Sequence, residues 1–171
     1  MKTIIAGNWK MNLTVAQSIA LAANVVTQAN AAVQSGALNA DDVEIVLAPT
    51  ALALYPVAET VRGSLVRVSG QNSYFEEKGA FTGEVSNGLL GAAGAQYCLV
   101  GHSERRQLFG ETDEWVAKKT KALLDGGLTP IVCIGETLEE RERNQTMDVV
   151  SRQLRAVLSV LNEDEAASMV L

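Results

Sequence analysis

The chain has 171 residues, enough for one well-filled core, and 47% of them are hydrophobic but arranged in short runs. Twenty acidic residues against fourteen basic ones give a net charge of −6, which argues against a nucleic-acid surface. Apolar runs such as Ile45 to Ala48 fall far below the ~20 residues needed to cross a bilayer, and MKTIIAGNWKMN has no long apolar stretch before Trp9 and Lys10, so neither a membrane partner nor a secretory signal is expected. The expected location is the cytoplasm. Cys98 and Cys133 lie in apolar runs without CxxC or histidine spacing; they read as reduced, buried thiols, with no metal site.

Taken in order, Thr3 to Gly7 reads as a buried strand, followed by an alanine-rich helix from about Thr14 to Gln34 that Gly36 and the Asn39–Asp42 cluster end. A second strand, Val43 to Ala48, stops at Pro49; a helix over Ala51 to Val61 and a third strand over Leu65 to Ser69 follow. The stretch Gln71 to Glu84 shows no period, and unstructured stretches of that length in compact domains are usually functional or interfacial. A short helix near Ser86 to Ala92 precedes strand four, Gln96 to Gly101. Ser103 and Glu104 start a new helix, and another spans Asp113 to Asp125 before Gly126-Gly127. Strand five is Thr129 to Ile134. Glu139 to Gln145 reads as the solvated first turn of a helix whose apolar residues Met147, Val150, Leu154, Val157 and Leu161 keep helical spacing. Asn162 to Glu165 reads as an acidic turn, and Met169-Val170-Leu171 as the first half of a sixth strand.

Strands that are apolar throughout, separated by helices, predict a parallel sheet covered on its faces. The repeat is about 33 residues, so eight units need about 265, near the ~250 of an eightfold barrel. The fold class expected is therefore α/β, a (β/α)8 TIM barrel interrupted after five βα units and the start of strand six, with residues 1–171 as one incomplete domain. A doubly wound sheet is the alternative, but no GxGxxG or GxxxxGK[ST] follows the first strand. Strands one and five are expected to leave open edges.

Functional side chains of parallel barrels gather at the carboxyl ends of the strands. Here those ends carry Asn8-Trp9-Lys10, Gln71-Asn72, His102-Ser103-Glu104 and Glu136. His102, the sole histidine, follows a strand and opens a helix, where unpaired backbone N–H groups and the helix dipole favour a neutral imidazole that offers one N–H. The other reading is a histidine satisfied in a structural turn. Lys10 reads either as an anion clamp for a small phosphorylated substrate or as a solvated surface lysine. Glu104 reads as a dipole-stabilising residue of the first turn, as a partner for Lys10, or both.

AGNWKMN (6–12), QNSYFEEKGAFTGEVS (71–86), VGHSERR (100–106) and PIVCIGET (130–137) together resemble triosephosphate isomerases in order and spacing over essentially the whole chain. The resemblance implies a cofactor-free aldose–ketose isomerase of glycolysis and gluconeogenesis, interconverting dihydroxyacetone phosphate and glyceraldehyde 3-phosphate through an enediolate. It implies that Asn8 and Lys10 contact a small phosphorylated triose, that neutral His102 donates to the substrate oxygens, that Ser103 lies beside the catalytic base, and that Glu104 pairs with Lys10. The loop around Gly79, Phe81 and Thr82 would reach into a partner subunit, making a homodimer. The family's catalytic glutamate follows strand six and has no counterpart here; Glu163 and Glu165 precede that strand and are not assigned as the base. The chain alone is accordingly expected to be inactive, with a non-catalytic fragment or half of a split barrel acting as a folding or interaction module as the alternative.

Overall fold

The computed structural model describes residues 2–171. Five strands, β1 (Thr3–Asn8), β2 (Val43–Ala48), β3 (Val66–Gly70), β4 (Tyr97–Val100) and β5 (Thr129–Val132), hydrogen-bond in sequence order. They alternate with α1 (Val15–Gln34), α2 (Ala51–Val61), α3 (Asn87–Ala92), α4 (Ser103–Phe109), α5 (Asp113–Asp125), α6 (Leu138–Glu142), α7 (Thr146–Leu158) and α8 (Glu163–Ser168). This is the predicted order of βα units. The chain divides into two compact units, 2–71 with 88–98, and 72–87 with 99–171. Among the described residues no helix is long and apolar enough to cross a membrane.

In the first unit β1 and β2 pair in parallel from Thr3↔Val43 to Asn8↔Ala48, and β2 and β3 from Ile45↔Val66 to Leu47↔Val68. The parallel run continues through Ser69↔Tyr97 and Gly70↔Cys98. Thr14 starts α1 with a capping box: its hydroxyl accepts the Gln17 N–H while Gln17 Oε1 accepts the Thr14 N–H. The helix then buries small residues, Ser18, Ala22 and Ala29. Val46, Val57, Val66, Val68 and Cys98 form the fully buried core of this unit. Gly70 lets the side chains of Leu90 and Cys98 approach closely: a Cβ there would stand 2.9 Å from Leu90 Cδ1 and 3.1 Å from Cys98 Sγ, and both would have to shift. Among the described residues β1 pairs only with β2, and Ile5 is 57% exposed, the open edge expected of strand one.

In the second unit Cys133 N–H donates to the Val100 carbonyl at 2.9 Å, tying the segment after β5 to the end of β4. Val100, Val116, Leu123, Val132 and Val157 are its fully buried core. Three expectations need correction. The helix expected to start in Glu139–Gln145 is two helices, because Asn144 adopts φ +58, a left-handed conformation that asparagine tolerates and that ends α6. The buried stripe of α7 is Val149, Gln153 and Val157, while Met147 is exposed. The acidic turn at Asn162–Glu165 is the capped start of α8: Asn162 Oδ1 accepts the Glu165 N–H and the Glu165 carboxylate accepts the Asn162 N–H, both at 2.9 Å. Beyond α8 only Val170 pairs, bridging Ile131 in parallel and exchanging hydrogen bonds with Pro130 and Val132, so β5 is not left wholly open.

The stretch 71–86 has no regular helix or strand; its two ends are buried or half-buried, while residues 76–84 are exposed. The Tyr74 N–H donates to the Val85 carbonyl, and the rings of Tyr74, Phe75, Phe81 and Trp115 lie with centroids 4.3 to 6.0 Å apart.

Candidate functional site

β4 ends at Val100, and Gly101 turns the chain at φ +72, a conformation that favours glycine. Space enforces the same choice: a Cβ would lie 2.9 Å from Arg106 Nη2 and 3.0 Å from the Cys133 carbonyl oxygen. The turn makes His102 the N-cap of α4, so strand end and helix start coincide on it. Its Nδ1 accepts the Glu104 backbone N–H at 3.2 Å, while Glu104 Oε2 lies 3.5 Å from the same nitrogen. One nitrogen cannot serve both. The shorter contact has hydrogen-bond geometry with Nδ1 as acceptor; in a neutral ring that arrangement carries the proton on Nε2. The ring is 22% exposed, within reach of a small molecule.

His102 and Ser103 line a cavity of about 610 Å³ together with Arg106, Cys133, Gly135 and Glu136. That size suits a small ligand. The cavity walls are set by charge. Glu111 accepts from Arg105 Nε at 2.6 Å and from Lys119 Nζ at 3.0 Å, with both Glu111 and Lys119 buried. Burial pushes the Glu111 carboxyl up, but Lys119 and Arg105 outweigh it and hold it below the usual carboxylate range. Asp113 likewise resists its burial through Arg152 and Arg106, at 2.9 and 2.6 Å, and lies below its ordinary value. Cys133 is a free, half-buried thiol whose pKa is raised by burial. On β5's side Gln153 reaches from α7 to accept the Gly135 N–H at 2.8 Å and donate to its carbonyl at 3.1 Å.

In the first unit, Asn8 ends β1 and its Oδ1 accepts the Lys10 N–H at 2.9 Å. Lys10 is held at φ +51, and its carbonyl accepts Gln71 Nε2 at 2.9 Å; the same amide also donates to the Ala48 carbonyl at 2.8 Å. A left-handed lysine costs about 1–2 kcal/mol, and such residues cluster at functional sites. The Asn8 side chain thus holds the Lys10 backbone at the end of β1.

The loop residues Gly79, Phe81 and Thr82 are all exposed, with Gly79 at φ +145 and the Phe81 ring tilted against Tyr74 at a centroid distance of 4.7 Å. Sequence reasoning singled out Asn8, Lys10, His102, Ser103 and Glu104, and named Glu136 only as a strand end; it missed Arg106, Glu111, Asp113 and Gln153. The only local signal for them was the Arg105-Arg106 pair one turn into α4.

The family model described as triosephosphate isomerase matches residues 3–171. The chain is 44% identical to the triosephosphate isomerase of Endomicrobium trichonymphae over 170 residues, 99% of this chain and 65% of that protein. It is 45% identical to that of Clostridium acetobutylicum over 98% of this chain and 64% of the relative, and 46% identical to that of Rhodopirellula baltica over 99% and 64%. The chain thus spans about 65% of the length of the curated relatives it matches. Parallel βα units in sequence order, a histidine capping the helix after β4, a strained lysine after β1 and a match along nearly all residues agree: the chain belongs to the triosephosphate isomerase family.

Proposed function

We propose that residues 1–171 form the part of a (β/α)8 barrel domain that binds and polarises a triose phosphate during interconversion of dihydroxyacetone phosphate and glyceraldehyde 3-phosphate. The observation that carries this reading is the Nδ1 contact of His102, which leaves Nε2–H as a donor at the strand end. That N–H donates to the substrate's carbonyl or hydroxyl oxygen and stabilises the enediolate formed when a carbon-bound proton leaves. Lys10 supplies positive charge for the phosphate and the developing oxyanion, Asn8 contacts substrate, Glu104 supports the Lys10 ammonium, and Ser103 borders the base. No cofactor takes part. The proton-abstracting carboxylate is assigned to no residue here: Glu165 is tied to Asn162 and Lys121, and Glu163 lies beside it in the first turn of α8. The exposed loop at Gly79, Phe81 and Thr82 is read as the dimer contact, and the enzyme as cytoplasmic, serving glycolysis and gluconeogenesis.

The test is a chimaera in which this chain replaces the matching part of the Clostridium acetobutylicum relative, assayed by coupled NADH oxidation. Activity is expected in the chimaera and not in the 171 residues alone. His102→Gln and Lys10→Ala should each lower kcat/KM by ~10²-fold or more. Parent-like turnover in either folded variant overturns the assignment. The exposed edge of β1 at Ile5 favours the second reading, a non-catalytic interaction module. Its mark is a stable complex with another chain and no activity in the chimaera.

A further inference from the structure

Gly101 is the softest joint between β4 and His102, because glycine loses the most conformational freedom when held in one state. The structure grips it from both sides with charged side chains. Its N–H donates to Glu111 Oε1 at 3.2 Å, and its carbonyl accepts Arg106 Nε at 2.7 Å. Each grip is itself anchored. The Glu111 side chain is 2% exposed and held by Arg105 and Lys119. Arg106 pairs with Asp113 Oδ1 at 2.6 Å through Nη1 and donates to the Cys133 carbonyl at 3.4 Å through Nη2. Arg106 therefore spans the ends of β4 and β5, and Lys119 carries the chain of contacts on to Asn72 Oδ1 at 2.7 Å.

We propose that Arg106 and Glu111 are positioning residues for His102: by holding the carbonyl and N–H of Gly101 they fix the N-cap geometry in which Nδ1 meets the Glu104 N–H and the proton stays on Nε2. A buried charge network this expensive to desolvate is not needed merely to close a turn. Its placement on the two amides flanking a positive-φ glycine gives it a geometric task. The consequence for catalysis rests on the proposed function of His102; the consequence for the ring does not.

The test uses the 171-residue chain, whose single histidine makes its imidazole ¹⁵N signals unambiguous. At pH about 8.5, above the usual histidine range, the parent should show Nδ1 at the acceptor extreme and Nε2 at the donor extreme, with a protected Glu104 amide. Arg106→Lys keeps a cation for Asp113 but takes the Nε–H away from the Gly101 carbonyl, and Glu111→Leu takes the acceptor away from the Gly101 N–H. In both, the ring signals should move toward those of free histidine, and Glu104 amide exchange should quicken about tenfold or more. Arg152→Ala, which removes the other partner of Asp113, should leave both readouts at the parent value. Where either variant does not fold, Arg105→Lys, which loosens Glu111 without deleting an atom that touches Gly101, carries the same expectation. Parent-like ring signals and Glu104 exchange in folded variants overturn the proposal, and so does an equal response to Arg152→Ala. Loss of chimaera activity alongside the expected ring signals counts against the proposed function and leaves the positioning role standing.

Discussion

Lys119→Met tests whether the second unit is built around a buried ion pair. Exposed pairs contribute only about 0–1 kcal/mol, but Lys119 and Glu111 are 1% and 2% exposed, so the buried case applies. Methionine fills the volume of the lysine stem with a flexible apolar chain, so little of the effect comes from a cavity. Removing one partner of a buried pair costs about 3–5 kcal/mol because the other charge stays behind. Here Glu111 keeps Arg105 at 2.6 Å, which places the cost at the lower end, about 3 kcal/mol, with the loss of the Asn72 contact included. For a chain of this length that corresponds to a fall in Tm of about 6–12 °C. Urea unfolding can be followed by tryptophan fluorescence, since the Lys119 ammonium lies 5.9 Å from the Trp115 ring centre. Adding Glu111→Gln to Lys119→Met should cost about 1 kcal/mol less than the sum of the single changes, because the stranded carboxylate is gone. A single-variant cost below about 1 kcal/mol, or strict additivity, refutes the reasoning.

Gly101→Ala should destabilise by about 2 kcal/mol or more, combining a left-handed alanine with close contacts at 2.9 and 3.0 Å, whereas Gly36→Ala, at φ +74 with open space around it, should cost only about 1 kcal/mol; paired thermal melts compare them. Glu111 and Asp113 have folded-state pKa values below their ordinary 4.5 and 3.8, so their stabilisation is fully present above those values and is lost as pH falls through the depressed ones. Calorimetry on the acid side should show a steep fall in Tm for the parent and a shallower one for Glu111→Gln. Tyr97, whose hydroxyl donates to Glu44 Oε2 at 2.7 Å, is pushed up to about 12 by burial and then by Glu44. In an absorbance titration, one of the three tyrosines should ionise near that value, and Tyr97→Phe should delete that late step. The raised value means that its contribution to stability is present below pH 10 and lost as pH rises toward 12.

Much of the architecture is local information. Apolar runs bounded by Gly, Pro and capping residues set the order of strands and helices, and the placement of His102 follows from a strand that ends at Val100, a turn at Gly101 and a helix that begins at once. The split between α6 and α7 was hidden because charge spacing and apolar period run through Asn144 as they would through one helix; a single left-handed residue breaks them. Lys119 shows the other limit. Within DEWVAKKTKALLD three lysines look alike, yet Lys118 and Lys121 reach solvent-side carboxylates while Lys119 is buried against Glu111 and Asn72. Gln153 and Arg106 are of the same kind, polar residues whose partners are the peptides of Gly135 and Gly101. The sequence alone determined the strand–helix order, the family resemblance and the candidate electrophile, because periodicity, caps and turns act between near neighbours along the chain. Only the tertiary structure decided which charges are buried and which backbone groups the polar side chains hold, because that depends on distances between residues as many as 61 positions apart.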